Sequence, residues 1–356
     1  MSADIKASEI AQRYIDKDER VTQVERLGGG ISNINYHITT QHHDQETKAG
    51  YVLTVYPEIS DWWKIEKERV LRDLTQNDKD VLFPRLVDCG TDTQNGNKFA
   101  FILREFVHGI DLDSALQINM VGNIDWKSFC HNLGFRLASI HSSVTGQVGV
   151  ISMPEQEAHS NWLDYMNSQI SSEYHDLWDS GVNRVMAGVS TEDILHTESG
   201  LVKHLDESSI HISTNHLAHG DTRFANLIAT NQNGLVEVKS FIDLEWALSG
   251  DPEIDVAFIE NWLVFSSYAD EFNQNRESFL KGYLTKRKPS ETYQAKRKTY
   301  HAYRSLNYLK NVFLHQNEDF VKQDPRYPGY IQKHMGILGV ISKGQSLEEF
   351  GIQSLI

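Results

Sequence analysis

Cysteine is nearly absent: Cys89 and Cys130 are the two in 356 residues. That is too few for a disulfide framework, so a reducing compartment is expected. No window approaches the run of about 20 apolar residues that a membrane-spanning helix needs. The opening Met1-Ser2-Ala3-Asp4-Ile5-Lys6 lacks the basic-then-apolar order of a secretory signal. Together these absences predict a cytoplasmic protein with no membrane partner. Positive charge is also scarce, since 34 Lys and Arg against 49 Asp and Glu leave a formal charge of −15. Such a field repels nucleic acid and mildly favours cationic partners, although it speaks to solubility first. There is no internal repeat and no long low-complexity tract.

The length fits two lobes better than one core. Residues 8–18 read as a short helix, followed by strands over 21–27, 33–40 and 51–56. Residues 62–76 place Ile65, Val70, Leu71 and Leu74 at helical spacing, and two more strands fall near 86–88 and 99–105. Beyond His108-Gly109 helical patterns dominate, at 129–142, 161–173, 255–265, 279–283 and 293–315. The exception is 217–246, where short apolar runs surround polar turns. The expectation is an α+β protein, with a small antiparallel-sheet lobe over 1–107 and a larger, mainly helical lobe over 108–356.

The chemistry is concentrated in His219-Gly220-Asp221-Thr222-Arg223-Phe224-Ala225-Asn226 and in Ile242-Asp243-Leu244-Glu245. A kinase catalytic loop written H-x-D-x-x-x-x-N uses its Asp to accept the proton of the attacking hydroxyl and its Asn to hold Mg²⁺. Asp221 and Asn226 stand at that separation, and Asp243 follows an apolar pair as a second metal carboxylate should. Hard oxygen ligands suit Mg²⁺. A turn and a strand-end cap would account for any one of these residues, but not for the ordered set.

With Leu217-Ala218-His219-Gly220-Asp221, Asn226, Phe241-Ile242-Asp243-Leu244-Glu245 and Gly250-Asp251-Pro252-Glu253-Ile254-Asp255, the chain resembles the aminoglycoside phosphotransferase and choline kinase superfamily, over roughly residues 20–265. The resemblance implies a two-lobed, protein-kinase-like fold and transfer of the γ-phosphate of ATP to a hydroxyl of a small polar molecule. It makes Asp221 the base and Asn226 and Asp243 the Mg²⁺ ligands, with Glu245 either a third ligand or a surface residue. It makes Asp251, Asp255 and His219 scaffold. Gly29, Gly30, Ser32 and Asn33, in the glycine-rich turn 28–33, would lie over the phosphates. Glu105 and Val107 would mark the hinge that takes the adenine through backbone groups.

The pattern departs at the third strand, Tyr51-Val52-Leu53-Thr54-Val55-Tyr56, where Thr54 occupies the place of a phosphate-contacting Lys. A homoserine kinase branch has a similar Tyr-Val-Leu-Thr strand after an Asn-x-Asn-Tyr stretch, here Asn33-Ile34-Asn35-Tyr36. Three accounts follow: the enzyme works without that cation, Lys64 or Lys67 replaces it, or the chain is a catalytically silent nucleotide-binding module. Glu66 is favoured slightly over Glu68 as the partner carboxylate on the helix. Trp162, Tyr165, Trp178, Trp262 and Tyr268 are candidates for an acceptor pocket, with core packing the more common use of such residues. The acidic balance favours an amine-bearing acceptor, of aminoglycoside, homoserine or choline and ethanolamine type.

Overall fold

The structure, a computed structural model, describes residues 6–27, 33–42, 48–56, 62–94, 96–117, 124–152, 159–179, 185–205, 212–232, 235–315 and 325–356. Two compact units emerge. One comprises Met1–Gly122, Val150–Gln156 and Phe224–Glu245, the other Asn123–Gly149, Glu157–Arg223 and Trp246–Ile356. Among the described residues no helix is long and apolar enough to cross a membrane.

The first unit is built on a five-stranded antiparallel sheet. Its strands are β1 (Glu19–Arg26), β2 (Ile34–His42), β3 (Lys48–Tyr56), β4 (Leu86–Gln94) and β5 (Asn97–Glu105), in the order β1-β2-β3-β5-β4. Two helices accompany it, α1 (Ala7–Tyr14) and α2 (Trp62–Thr75). Successive side chains of a strand point to opposite faces, and β5 divides accordingly. Phe99, Phe101 and Leu103 join Leu53, Val55 and Ile38 under Ile10 and Ala11 of α1. Ala100 and Ile102 join Tyr56 and Cys89 under Ile65 of α2. Each large side chain so buried contributes roughly 1.5–3 kcal/mol. The same alternation puts Arg104 on the α2 side, next to Thr54.

The second unit is dominated by helices, chiefly Trp126–His141, Trp162–Asp179, Glu253–Leu263, Arg276–Leu284, Tyr293–Leu314 and Tyr327–Ser342. The first of these packs on Arg276–Leu284 at the closest range a backbone allows. A Cβ on Gly134 would collide with the Phe279 carbonyl, and one on Gly282 with the His131 carbonyl. Leu306, Leu309 and Phe313 pack with Ile337, Leu338 and Ile341 in a core completed by Tyr174 and Leu177. Glu260 sits at the centre of a buried polar knot. Arg297 lies 2.9 Å away and His301 Nε2 3.1 Å, the Tyr293 hydroxyl donates at 2.9 Å, and the Leu355 N–H donates at 2.8 Å.

Candidate active site

In the second unit the strand His216–Ala218 pairs antiparallel with Leu248–Gly250 and delivers the chain into His219-Gly220-Asp221. Gly220 adopts φ 81°, and a Cβ there would collide with the Trp246 carbonyl oxygen, so the turn admits only glycine. The loop is held from below by Asp255, in the first turn of the Glu253–Leu263 helix. Its fully buried carboxylate accepts the His219 N–H at 2.7 Å and the Gly220 N–H at 2.9 Å. The Thr222 hydroxyl donates to the Asp255 carbonyl at 2.9 Å. His141 Nε2 stands 3.1 Å from the same carboxylate and Nδ1 2.9 Å from the Tyr283 hydroxyl, which fits a neutral ring donating to Asp255 and accepting from Tyr283. Burial keeps that imidazole below its ordinary pKa.

His219 braces the loop, its Nδ1 accepting the Asp221 N–H at 3.2 Å. Asp251 is likewise engaged inside the fold, bonded by Lys296 and by the Tyr300 hydroxyl. The Asp221 carboxylate meets two guanidinium groups: Arg304 Nη2 at 2.7 Å and Arg223 Nε at 3.3 Å. Burial alone would raise its pKa, but the charges of Arg304 and Arg223 hold it below the usual carboxylate range. Asp221 is therefore an ionised acceptor. Arg304 comes from the Tyr293–Leu314 helix, where the sequence carries no motif.

In the first unit the strands Leu227–Gln232 and Leu235–Phe241 form a hairpin in which Leu227 faces Phe241. The Ile242 N–H donates to the Asn226 carbonyl at 2.9 Å. The hairpin's open end thus brings Asn226, buried, beside the segment that carries Asp243, exposed. Asp243 has φ 63°, a left-handed conformation that Asp tolerates better than most residues. Among the described residues no three His, Cys, Asp or Glu side chains converge as a preformed metal cage. One carboxylate with an amide oxygen nonetheless fits Mg²⁺, which keeps several waters and takes substrate phosphates as its other ligands. Glu245 differs from these two. Its carboxylate is ion-paired with Lys64 at 2.7 Å, and its carbonyl accepts a bond from Lys67. The two α2 lysines are thus committed to Glu245. Burial pushes the Lys67 amine down to about 7.

A polar chain crosses the sheet. Arg104 donates to Glu68 through Nη2 at 2.5 Å and Nε at 3.1 Å, and its Nη1 lies 3.5 Å from the Thr54 hydroxyl. Thr54 donates to Asn35 Oδ1 at 2.8 Å, and Asn35 donates to Asn33 Oδ1 at 2.9 Å. Thr54 and Asn35 are direct cross-strand partners, which gives the paired Asn-x-Asn-Tyr and Tyr-Val-Leu-Thr segments a physical link. The partner carboxylate on α2 is therefore Glu68, not Glu66, which is exposed and paired with Arg69. Glu105 already donates its N–H to the Arg85 carbonyl at 2.9 Å, and Phe106 donates its N–H to Gly50 at 2.8 Å. Val107 is half-buried just beyond. Gly29, Gly30 and Ser32 lie outside the described residues.

Of the five aromatics named from sequence, Trp162 and Tyr165 are core, stacked on each other with centroids 5.1 Å apart. Trp178 is exposed, and Tyr268 packs on Trp126. Trp262 lines a cleft, together with Arg223, Arg304, Tyr308 and Tyr330.

The model of the phosphotransferase enzyme family matches residues 23–289. Among solved structures the chain is similar to a spectinomycin phosphotransferase in complex with ADP and spectinomycin. The identity is 15%, with 96% of this chain and 100% of that one covered and a TM-score of 0.52. It is also similar to an aminoglycoside 2'-phosphotransferase-IIIa bound to GDP, at 16% identity over 95% and 99% of the two chains with a TM-score of 0.55. A GDP and kanamycin complex of an aminoglycoside phosphotransferase matches at 15% identity over 95% and 98%, with a TM-score of 0.54. No curated protein matches the sequence. These likenesses show the fold: an antiparallel-sheet lobe and a helical lobe of the protein-kinase-like type.

Proposed function

Because this chain belongs to the phosphotransferase enzyme family, we propose that it moves the γ-phosphate of ATP, with Mg²⁺, onto a hydroxyl of a small polar molecule. The observation that carries the reading is the hairpin base, where the Asn226 carbonyl bonds the Ile242 N–H and brings an amide and a carboxylate to one edge. In this reading Asn226 and Asp243 hold the metal. When bound, Mg²⁺ would neutralise the charge developing on the β- and γ-phosphates. Glu245 serves instead to seat Lys64 and Lys67. Asp221 orients the acceptor hydroxyl and receives its proton while the oxygen forms a bond to the γ-phosphorus. The bond from that phosphorus to the β–γ bridging oxygen breaks, leaving ADP and a phosphate ester. A low-pKa carboxylate suits this role, since phosphoryl transfer needs positioning and charge stabilisation more than a strong base.

The polar chain across the sheet supplies what Thr54 lacks. Arg104, paired with Glu68 as a strand-three Lys would be, takes the α- and β-phosphate contact from the neighbouring strand. Asn33 ends that chain and, with Gly29, Gly30 and Ser32, is proposed to contact the phosphates. Since the Glu105 N–H is spent on Arg85, an adenine would use the Glu105 carbonyl and the Val107 N–H. The test is ATP consumption with Mg²⁺ against hydroxyl compounds of varied charge, with an Asp221→Asn control. That variant should bind MgATP normally and turn over about 10²–10⁴-fold more slowly. Wild-type turnover in the variant would remove Asp221 from the chemistry.

A further inference from the structure

The lining of the cleft beside Asp221 contains two cations and no carboxylate. Arg304 and Arg223 both line it while touching the two oxygens of Asp221. The Arg304 guanidinium lies over the Phe258 ring at 5.0 Å, which fixes its place. A third cation stands near: Lys333 lies 5.3 Å from the ring of Phe265, another lining residue. His334 adds no negative charge, and burial together with the positive charge of Arg304 and Lys333 keeps it neutral. The remaining walls are Asn261 and the rings of Trp262, Tyr308 and Tyr330. The chain's net charge of −15 points toward a cationic acceptor, and the cleft has the opposite sign.

We propose that the acceptor is an anionic hydroxy compound, whose hydroxyl lies a few bonds from a carboxylate or phosphate group held by Arg304 and Arg223. This rests on the phosphotransferase reading above. A guanidinium carries five N–H donors in a planar fork, so Arg304 can hold Asp221 through Nη2 and take an oxyanion along another edge. The anion then sits within a few ångströms of the base, and the hydroxyl must be close to it in the molecule. A polyamine placed here would set ammonium groups against two guanidiniums, a like-charge arrangement that costs several kcal/mol in a protein site. The aromatic walls take the apolar face of the acceptor and exclude water from the ion pair, which strengthens it.

The probes are malate and glycerate for the carboxylate arm, glycerol 3-phosphate for the phosphate arm, and choline and kanamycin for the cationic arm. Calorimetric binding to the full chain is measured for each, with MgATP binding measured separately. At least one anionic probe should bind more tightly than either cation, and the better arm identifies the anion. Arg304→Met should weaken that binding at least tenfold and leave MgATP affinity unchanged. Arg223→Gln, at a side chain 42% exposed where the fold is not at stake, should weaken it in the same direction. Preference for choline or kanamycin, silence toward all three anions, or anion binding indifferent to both substitutions would each overturn the proposal. Loss of MgATP binding in the wild type would instead sink the phosphotransferase reading beneath it, so the two failures are distinguishable.

Discussion

Glu68 and Arg104 meet through two guanidinium–carboxylate bonds that join α2 to β5 rather than to β3. In the proposed site the phosphate-contacting cation therefore comes from β5, with its carboxylate partner on the helix. Arg104→Met should raise the KM for ATP at least tenfold with little effect on the acceptor. It should also destabilise the fold by about 3–5 kcal/mol, because a buried carboxylate loses its counter-ion. The double variant Arg104→Met with Glu68→Leu should recover much of the stability and none of the ATP affinity. Recovery of both would show that the pair serves packing alone.

Asp243 combines an exposed carboxylate with a left-handed backbone, so the informative substitution is Asn, which tolerates that conformation. Asp243→Asn should keep wild-type thermal stability within about 0.5 kcal/mol and lose Mg²⁺-dependent ATP binding. Calorimetry with and without Mg²⁺ decides the matter. Undiminished metal dependence would move the site elsewhere.

Lys67 makes stability depend on pH in an uncommon direction. Its amine titrates at about 7 when folded and near 10.5 when unfolded. Between those values the unfolded chain holds more protons, so stability rises with pH across that window, by up to about 1.4 kcal/mol per pH unit. Below about pH 7 both states are protonated and the slope ends. Urea midpoints taken from about pH 7 to about pH 9 should climb more steeply for the wild type than for Lys67→Met. Parallel curves would refute the assignment.

Glu260 has a dependence of the same sign in an acidic window. Burial would raise its pKa, but the bond from His301 and the charge of Arg297 hold it below the usual glutamate value. Its contribution is present above that value and is lost as the pH falls through the folded pKa. Glu260→Ala should cost about 3–5 kcal/mol and release the C-terminal contact at Leu355. Urea denaturation reads the first and protease sensitivity of the terminus the second. A loss under about 1 kcal/mol would mean that the knot is dispensable.

Much of this was legible in the sequence where the signal is local. Asp221, Asn226 and Asp243 lie within one short stretch, and the strands and helices of the sheet unit emerge at their expected places, with β4 running on to Gln94, beyond the 86–88 expected for it. Glu68 was legible too, since Ile65, Glu68 and Leu71 share a helical face by threes, a spacing that outweighs any slight preference for Glu66. Arg104 needed one more step: alternation along β5 from Ala100 and Ile102 puts it on the α2 side. Arg304 was beyond such reasoning. It reaches Asp221 from 83 residues downstream, and nothing in its own helix distinguishes it from a solvated arginine. The charge of the cleft, a property of side chains gathered from four separate segments, was invisible for the same reason.

The collision that confines residue 220 to glycine also removes a regulatory option. Protein kinases place an arginine at this point of the loop, and arginines are how such enzymes let a phosphorylated segment order their active form. Here the seat is filled by the main chain of Trp246. That route to covalent control is closed by the backbone itself, and no single substitution at position 220 would open it.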